Sequence, residues 1–115
     1  MTEADKKEFI RLWNVLAGEL NVNTHAHGFY DTQRTFGDEI ALAHSELSEA
    51  LEAFRHGNPP SEKIPAFTSI EEEKADLIIR VAEAGFECRE RIPEAIFAKM
   101  AYNAGRSYRH NGKCL

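Results

Sequence analysis

The sequence predicts an all-α domain: four helices, with one long loop between the second and the third. Three observations carry this expectation. Apolar residues recur at three- and four-residue spacing in four separate stretches. No stretch shows the strict alternation that a half-buried strand needs. Helix start and stop residues fall at the ends of the same four stretches.

The first helix is expected from about Thr2 to Leu20. Thr2 and Asp5 stand at capping-box spacing, and Phe9, Leu12, Trp13, Leu16 and Leu20 share one face. The stretch from Asn21 to Thr32 reads as a connection, too polar for a core yet rich in His25, His27, Phe29 and Tyr30. The second helix should span about Thr35 to His56 and stop at Gly57, with Pro59 and Pro60 beyond it. Three prolines between Gly57 and Thr68 mark a long loop, a length at which loops are often functional or mobile. Ser69 with Glu72 looks like the box that opens the third helix, which runs to about Cys88. Pro93 suits the first turn of a fourth helix ending at Ala104, before Gly105.

Composition narrows the function. A length of 115 residues fits one domain, 1–115, and 43% hydrophobic residues fit a globular chain. A net charge of −5 lacks the basic footprint of a protein that binds nucleic-acid polymers. No apolar run is long enough to cross a bilayer, and Met1 to Glu8 has no signal-peptide core. The two cysteines, Cys88 and Cys114, have no metal-ligand spacing, so a reduced cytoplasmic protein is expected. A core this small makes oligomerisation an option from the start.

The second helix carries an anomaly. With Glu46 set at zero and about 100° per residue, Leu47, Leu51, Phe54, Ile40 and Ala43 fall at about 60–140°. Leu42 and Ala53 fall on the other side of Glu46, which therefore lies inside the expected buried arc, with Glu39 beside it and Glu49 near its edge. Buried carboxylates require a compensating partner. The competing view is a rotated helix whose glutamates meet solvent or neighbouring cations. On the third helix Glu72, Glu73, Asp76, Arg80 and Glu83 form the one charged stripe; taken alone it reads as a solvated face with an Arg80–Glu83 ion pair. Taken together, Glu46-x-x-Glu49 and Glu73-x-x-Asp76 would converge four carboxylates if the helices pack antiparallel. Such an oxygen-only set suits a hard cation, Mg²⁺ or Mn²⁺. Neither helix has the Glu-x-x-His pair of a di-iron bundle.

At these residues the sequence resembles the MazG-like, all-α nucleoside triphosphate pyrophosphohydrolases. Their signature, Glu-Glu-x-x-Glu followed by Glu-x-x-Asp, is matched by Ser45-Glu46-Leu47-Ser48-Glu49 and Glu73-Lys74-Ala75-Asp76. Lys99-Met100-Ala101-Tyr102-Asn103, then Arg106 and His110, continue the likeness, which covers roughly Asn23 to Lys113. It departs at Ser45, where the family has Glu, at Glu83, where close relatives often have Asp, and at Lys74.

The resemblance implies cleavage of a nucleoside triphosphate between the α and β phosphates, releasing a monophosphate and pyrophosphate, for nucleotide-pool clean-up, by a homodimer or homotetramer. It implies Mg²⁺, or Mn²⁺, on Glu46, Glu49, Glu73 and Asp76, with Glu46 or Glu49 taking the proton of the attacking water. Lys99, Tyr102, Asn103 and Arg106 share one helical face and would serve phosphates and sugar; the plainer view is a solvent face with a basic end. Among the aromatic residues Trp13 is expected in the core, and His27 beside Gly28 is the expected substrate contact. The alternative function is a catalytically weak nucleotide-binding or regulatory helical module, for which Ser45 is the argument.

Overall fold

The computed structural model describes residues 1–106; His110 and Cys114 lie outside the described residues. Four helices follow in order: α1 (Glu3–Ala26), α2 (Phe36–Arg55), α3 (Ser69–Glu87) and α4 (Ile92–Ala104). Among the described residues there is no strand, only an isolated antiparallel bridge between Pro60 and Thr68. No helix among them is long and apolar enough to cross a membrane.

Local chemistry sets the helix ends. Thr2 and Asp5 form the expected reciprocal cap on α1, and Thr35 and Asp38 do the same on α2. The cap of α3 lies one residue before the expected one: Thr68 pairs with Glu71. Ser69 is drawn away instead, its hydroxyl donating to the Pro59 carbonyl at 2.8 Å. Pro93 lies buried in the first turn of α4.

α1 continues past Leu20 to Ala26, further than expected. Between Leu20 and Gly28 no glycine or proline interrupts it, and the φ of +78° at Gly28 turns the chain out. Two polar residues of the added turns, Asn21 and His25, reach side chains of α3. Asn21 is buried, and its amide donates to Glu83 and to Glu87, each at 3.0 Å.

The loop after α2 is pinned rather than loose. Gly57 and Asn58 both take positive φ, and the Asn58 side-chain oxygen accepts from the Ile70 amide at 2.9 Å. Ser61 N–H donates to Phe67 at 2.8 Å, closing the loop on itself. The buried Ser61 hydroxyl donates to Glu72, tying the loop to the first turns of α3.

α3 is the central element, packed against α2 on one side and α1 on another, while α4 touches α1. The α4 contact runs through Phe97, whose ring meets Phe9 edge-on at 5.5 Å. Close approach depends on small residues. Among the described residues the buried hydrophobic side chains are Ala17, Ala50, Ala82 and Ala84, and Pro93 is buried as well. A methyl group on Gly18 would meet the Phe86 ring at 3.3 Å, and one on Gly85 would meet Ile92 at 3.0 Å.

This packing corrects one expectation. Ile40, Leu47, Leu51 and Phe54 are not buried within the chain; with Phe36 they are 40–69% exposed. The alanine contact turns Ala50 and Glu46 toward α3, with Leu42, Ala43 and Ala53 half-buried beside them. The larger apolar stripe, about 80–140° further round the helix, is left facing outward.

Candidate metal centre

The α2–α3 contact gathers carboxylates. Oxygens of Glu46, Glu49 and Glu73 lie within 4.8 Å of one another, and so do oxygens of Glu72, Glu73 and Asp76. Glu73 belongs to both groups. The four residues expected as metal ligands are therefore brought together, in two overlapping sets. Glu72 joins them; its place on the charged stripe was visible in the sequence, but the pair spacing singled out Glu73.

Burial and charge differ across the site. Glu46 is 6% exposed, and its Oε1 accepts from Arg80 Nε at 2.7 Å. Burial alone would push the Glu46 carboxyl up. The Arg80 hydrogen bond, a contact with Glu73 and the charge of Lys63 hold it below its ordinary value. Glu73 is pushed up to about 8, first by burial, then by its contacts with Glu46 and Glu49. Asp76 is raised by burial and by Glu46 and Glu72, against the pull of Lys63 and Arg80. Lys63 comes from the long loop, which sequence patterns gave no reason to place here.

These residues fit a hard divalent cation. The donors are all carboxylate oxygens, and Glu73 Oε2 is buried with no hydrogen-bond partner among the described residues. A cation at this point would answer both the orphan oxygen and the crowding that raises Glu73. Ser45 adds nothing: its hydroxyl donates back to the Leu42 carbonyl at 2.6 Å.

Arg80 bridges the helices to Glu46, whereas the stripe taken alone had suggested a pair with Glu83. Glu83, 4% exposed, accepts instead from Asn21 and from the Tyr30 hydroxyl. Burial, then the bond to Glu83, raise the Tyr30 hydroxyl pKa. His25 stacks on Tyr30 at 4.4 Å and meets Glu87 at 2.7 Å. The Arg34 guanidinium lies 5.3 Å from the centre of the Tyr30 ring.

A cavity of about 190 Å³ adjoins the carboxylates. Asp76, Ile79, Arg80 and Glu83 supply its α3 wall, and Thr24, Phe29 and Arg34 close it from the other side.

The remaining expected substrate residues lie elsewhere in the chain. Lys99 and Arg106 flank the Tyr102 ring at 4.6 and 5.6 Å, and Arg106 donates to Asn103 at 3.3 Å. The four form one cluster, but α4 contributes nothing to the lining of the cavity. His27 hydrogen-bonds the Asn23 carbonyl at 2.7 Å through Nδ1, at the end of α1. The polar network takes His25 in its place. Trp13 packs on Phe9 at 6.0 Å and borders a different cavity, beside Phe86 and Glu94.

Compared with family models, curated proteins and solved structures, the chain matches none.

Proposed function

We propose that this chain is a MazG-like pyrophosphohydrolase that uses Mg²⁺ (or Mn²⁺) to cut a nucleoside triphosphate between its α and β phosphates. The observation that carries the proposal is the meeting of Glu46 and Glu49 of α2 with Glu73 of α3, and of Glu73 with Glu72 and Asp76. An acidic protein and an anionic triphosphate repel each other, and an all-oxygen cation site between them removes the obstacle. A bound divalent ion would supply Lewis-acid polarisation of the phosphoryl oxygens. Glu46 is held by Arg80, so the exposed Glu49 is the carboxylate left to accept a proton from water. Arg80 and Arg34 border the adjoining cavity and give the substrate's negative charge a place to rest.

The proposal includes assembly. Phe36, Ile40, Leu47, Leu51 and Phe54 form an exposed apolar stripe on α2 that a second copy would cover. Lys99 and Arg106, remote from the carboxylates in their own chain, would meet phosphates from such a copy.

Product analysis tests the reaction. Purified protein is given a panel of nucleoside triphosphates with Mg²⁺ or with EDTA. Monophosphate plus pyrophosphate should form only with Mg²⁺, and Glu46→Gln and Asp76→Asn should each abolish the products. A diphosphate plus free phosphate would refute the bond assignment. Full activity in both variants would refute the site.

The second reading is a nucleotide-binding or regulatory module with weak turnover. Ser45, back-bonded to its own helix, and the Arg80–Glu46 pair favour it. It predicts nucleotide binding without products.

A further inference from the structure

We infer that the cavity beside the carboxylates seats the nucleobase, and that Glu83 selects the amino bases adenine and cytosine over the keto bases uracil, thymine and guanine. This rests on the reading of the site as a nucleotide site and adds the substrate class to it.

The cavity has two chemically distinct ends. Asp76 and Arg80 belong to the end shared with the cation site, where phosphates are expected. Glu83, Phe29, Ile79 and Thr24 border the rest. Phe29 is 54% exposed and Ile79 41%, so both offer apolar surface to a flat ring.

Glu83 is the informative residue. It is 4% exposed, yet no lysine, arginine or histidine forms an ion pair with it among the described residues. Its two oxygens are used unequally. Oε1 accepts from both Asn21 Nδ2 and Tyr30 Oη. Oε2 accepts from no side chain among the described residues, while the residue borders the cavity. Two neutral donors thus fix the carboxyl and leave one acceptor for a ligand. Tyr30 is itself held, stacked on His25 with Arg34 over its ring.

An acceptor fixed in this way discriminates by hydrogen-bond direction. The 6-amine of adenine or the 4-amine of cytosine can donate to Oε2. Uracil, thymine and guanine present a carbonyl oxygen at the corresponding position of the ring, and two facing acceptors repel. A hydrogen bond to a charged group is worth enough for a preference of about 10- to 100-fold in Kd.

The test uses nucleoside monophosphates, because their binding requires no turnover. Titration calorimetry with dAMP, dCMP, dGMP, dTMP and dUMP in Mg²⁺ should show tighter binding of dAMP and dCMP than of the other three. Glu83→Gln should reverse the order. Its amide oxygen can still accept from Asn21 and Tyr30, which turns the amide nitrogen toward the cavity as a donor for a keto oxygen. Phe29→Ala, at an exposed position that does not threaten folding, should weaken all five by roughly 5- to 100-fold. Equal affinities in the unaltered protein would overturn the inference. So would a Glu83→Gln protein that folds and keeps the original order, or triphosphate cleavage without any monophosphate binding. Selective binding with no cleavage would uphold the base site and refute the hydrolase reading.

Discussion

Replacing Arg80 with methionine tests how the carboxylate site is held together. The change keeps the aliphatic stem and removes the charge that pairs with Glu46 at 2.7 Å. Glu46 has a side-chain exposure of 7%, so its carboxylate would be left buried beside Glu73 and Glu49. Breaking a fully buried pair costs about 3–5 kcal/mol. Arg80 keeps 32% exposure, which moves the expectation down to roughly 2–3 kcal/mol. For a chain of this size that corresponds to roughly 10–20 °C in Tm without divalent cations. Mg²⁺ should change the comparison. In the unaltered protein the guanidinium and the cation compete for Glu46; in Arg80→Met the cation has the carboxylates to itself. Mg²⁺ should therefore bind about tenfold more tightly to the variant and raise its Tm further, at fixed protein concentration. Scanning fluorimetry across a Mg²⁺ series reads both effects. Parallel Tm curves for the two proteins would mean that Glu46 is not shared between Arg80 and a cation.

Three further outcomes are expected. Leu47→Glu with Leu51→Glu places charges in the outward stripe of α2; light scattering should then find the 13.0 kDa single chain in place of an oligomer, and an unchanged mass would refute assembly through this face. For pH, Glu73 titrates near 8 in the folded state against 4.5 for an ordinary Glu, so the native state holds a proton that the unfolded chain releases. Without divalent cations stability should fall as pH rises from about 4.5 to 8, whereas saturating Mg²⁺, which displaces that proton, should flatten or reverse the trend; identical profiles would refute the site. Glu46, shifted the other way, adds a loss only at acid pH, as its carboxylate is protonated. Lys99→Ala should raise KM for the triphosphate with little change in kcat, and an unchanged KM would remove α4 from the site.

Much of the fold was legible in the sequence because the helix ends are written locally. Thr2 with Asp5 and the glycines at 57 and 105 act within a few residues. The errors share another origin: side chains that make long-range contacts. Asn21 and His25 looked like linker residues because nothing near them in sequence reveals Glu83 and Glu87, more than sixty positions away. The carboxylate pairs were legible from their spacing. Arg80 was assigned to the wrong glutamate because the sequence displays only the neighbours on its own helix, and Glu46 stands on another. The direction of the α2 stripe was misjudged for a related reason. A hydrophobic arc tells that a face will be covered, but not whether this chain or another covers it.

The interior of the domain and its surface follow from one choice of residues. Helices that meet through Ala17, Ala50, Ala82, Ala84 and the glycines at 18 and 85 lie close together. Close backbones bring side chains from adjacent helices into direct contact, and here the side chains at the seams are Glu46, Glu73, Glu83 and Asn21. Bulkier residues at those seams would hold the helices apart and separate the carboxylates. Several large apolar residues consequently point outward: Leu12 and Val15 on α1, Phe54 on α2 and Ile78 on α3. Small buried side chains contribute little hydrophobic stabilisation, since each carries little apolar area. Buried carboxylates oppose folding until they are neutralised. Both shortfalls have the same kind of remedy, which lies outside the single chain: a cation between α2 and α3, and a second copy over the apolar faces. Stability should therefore depend on cation and protein concentration together, and a Tm insensitive to both would contradict this account of the fold.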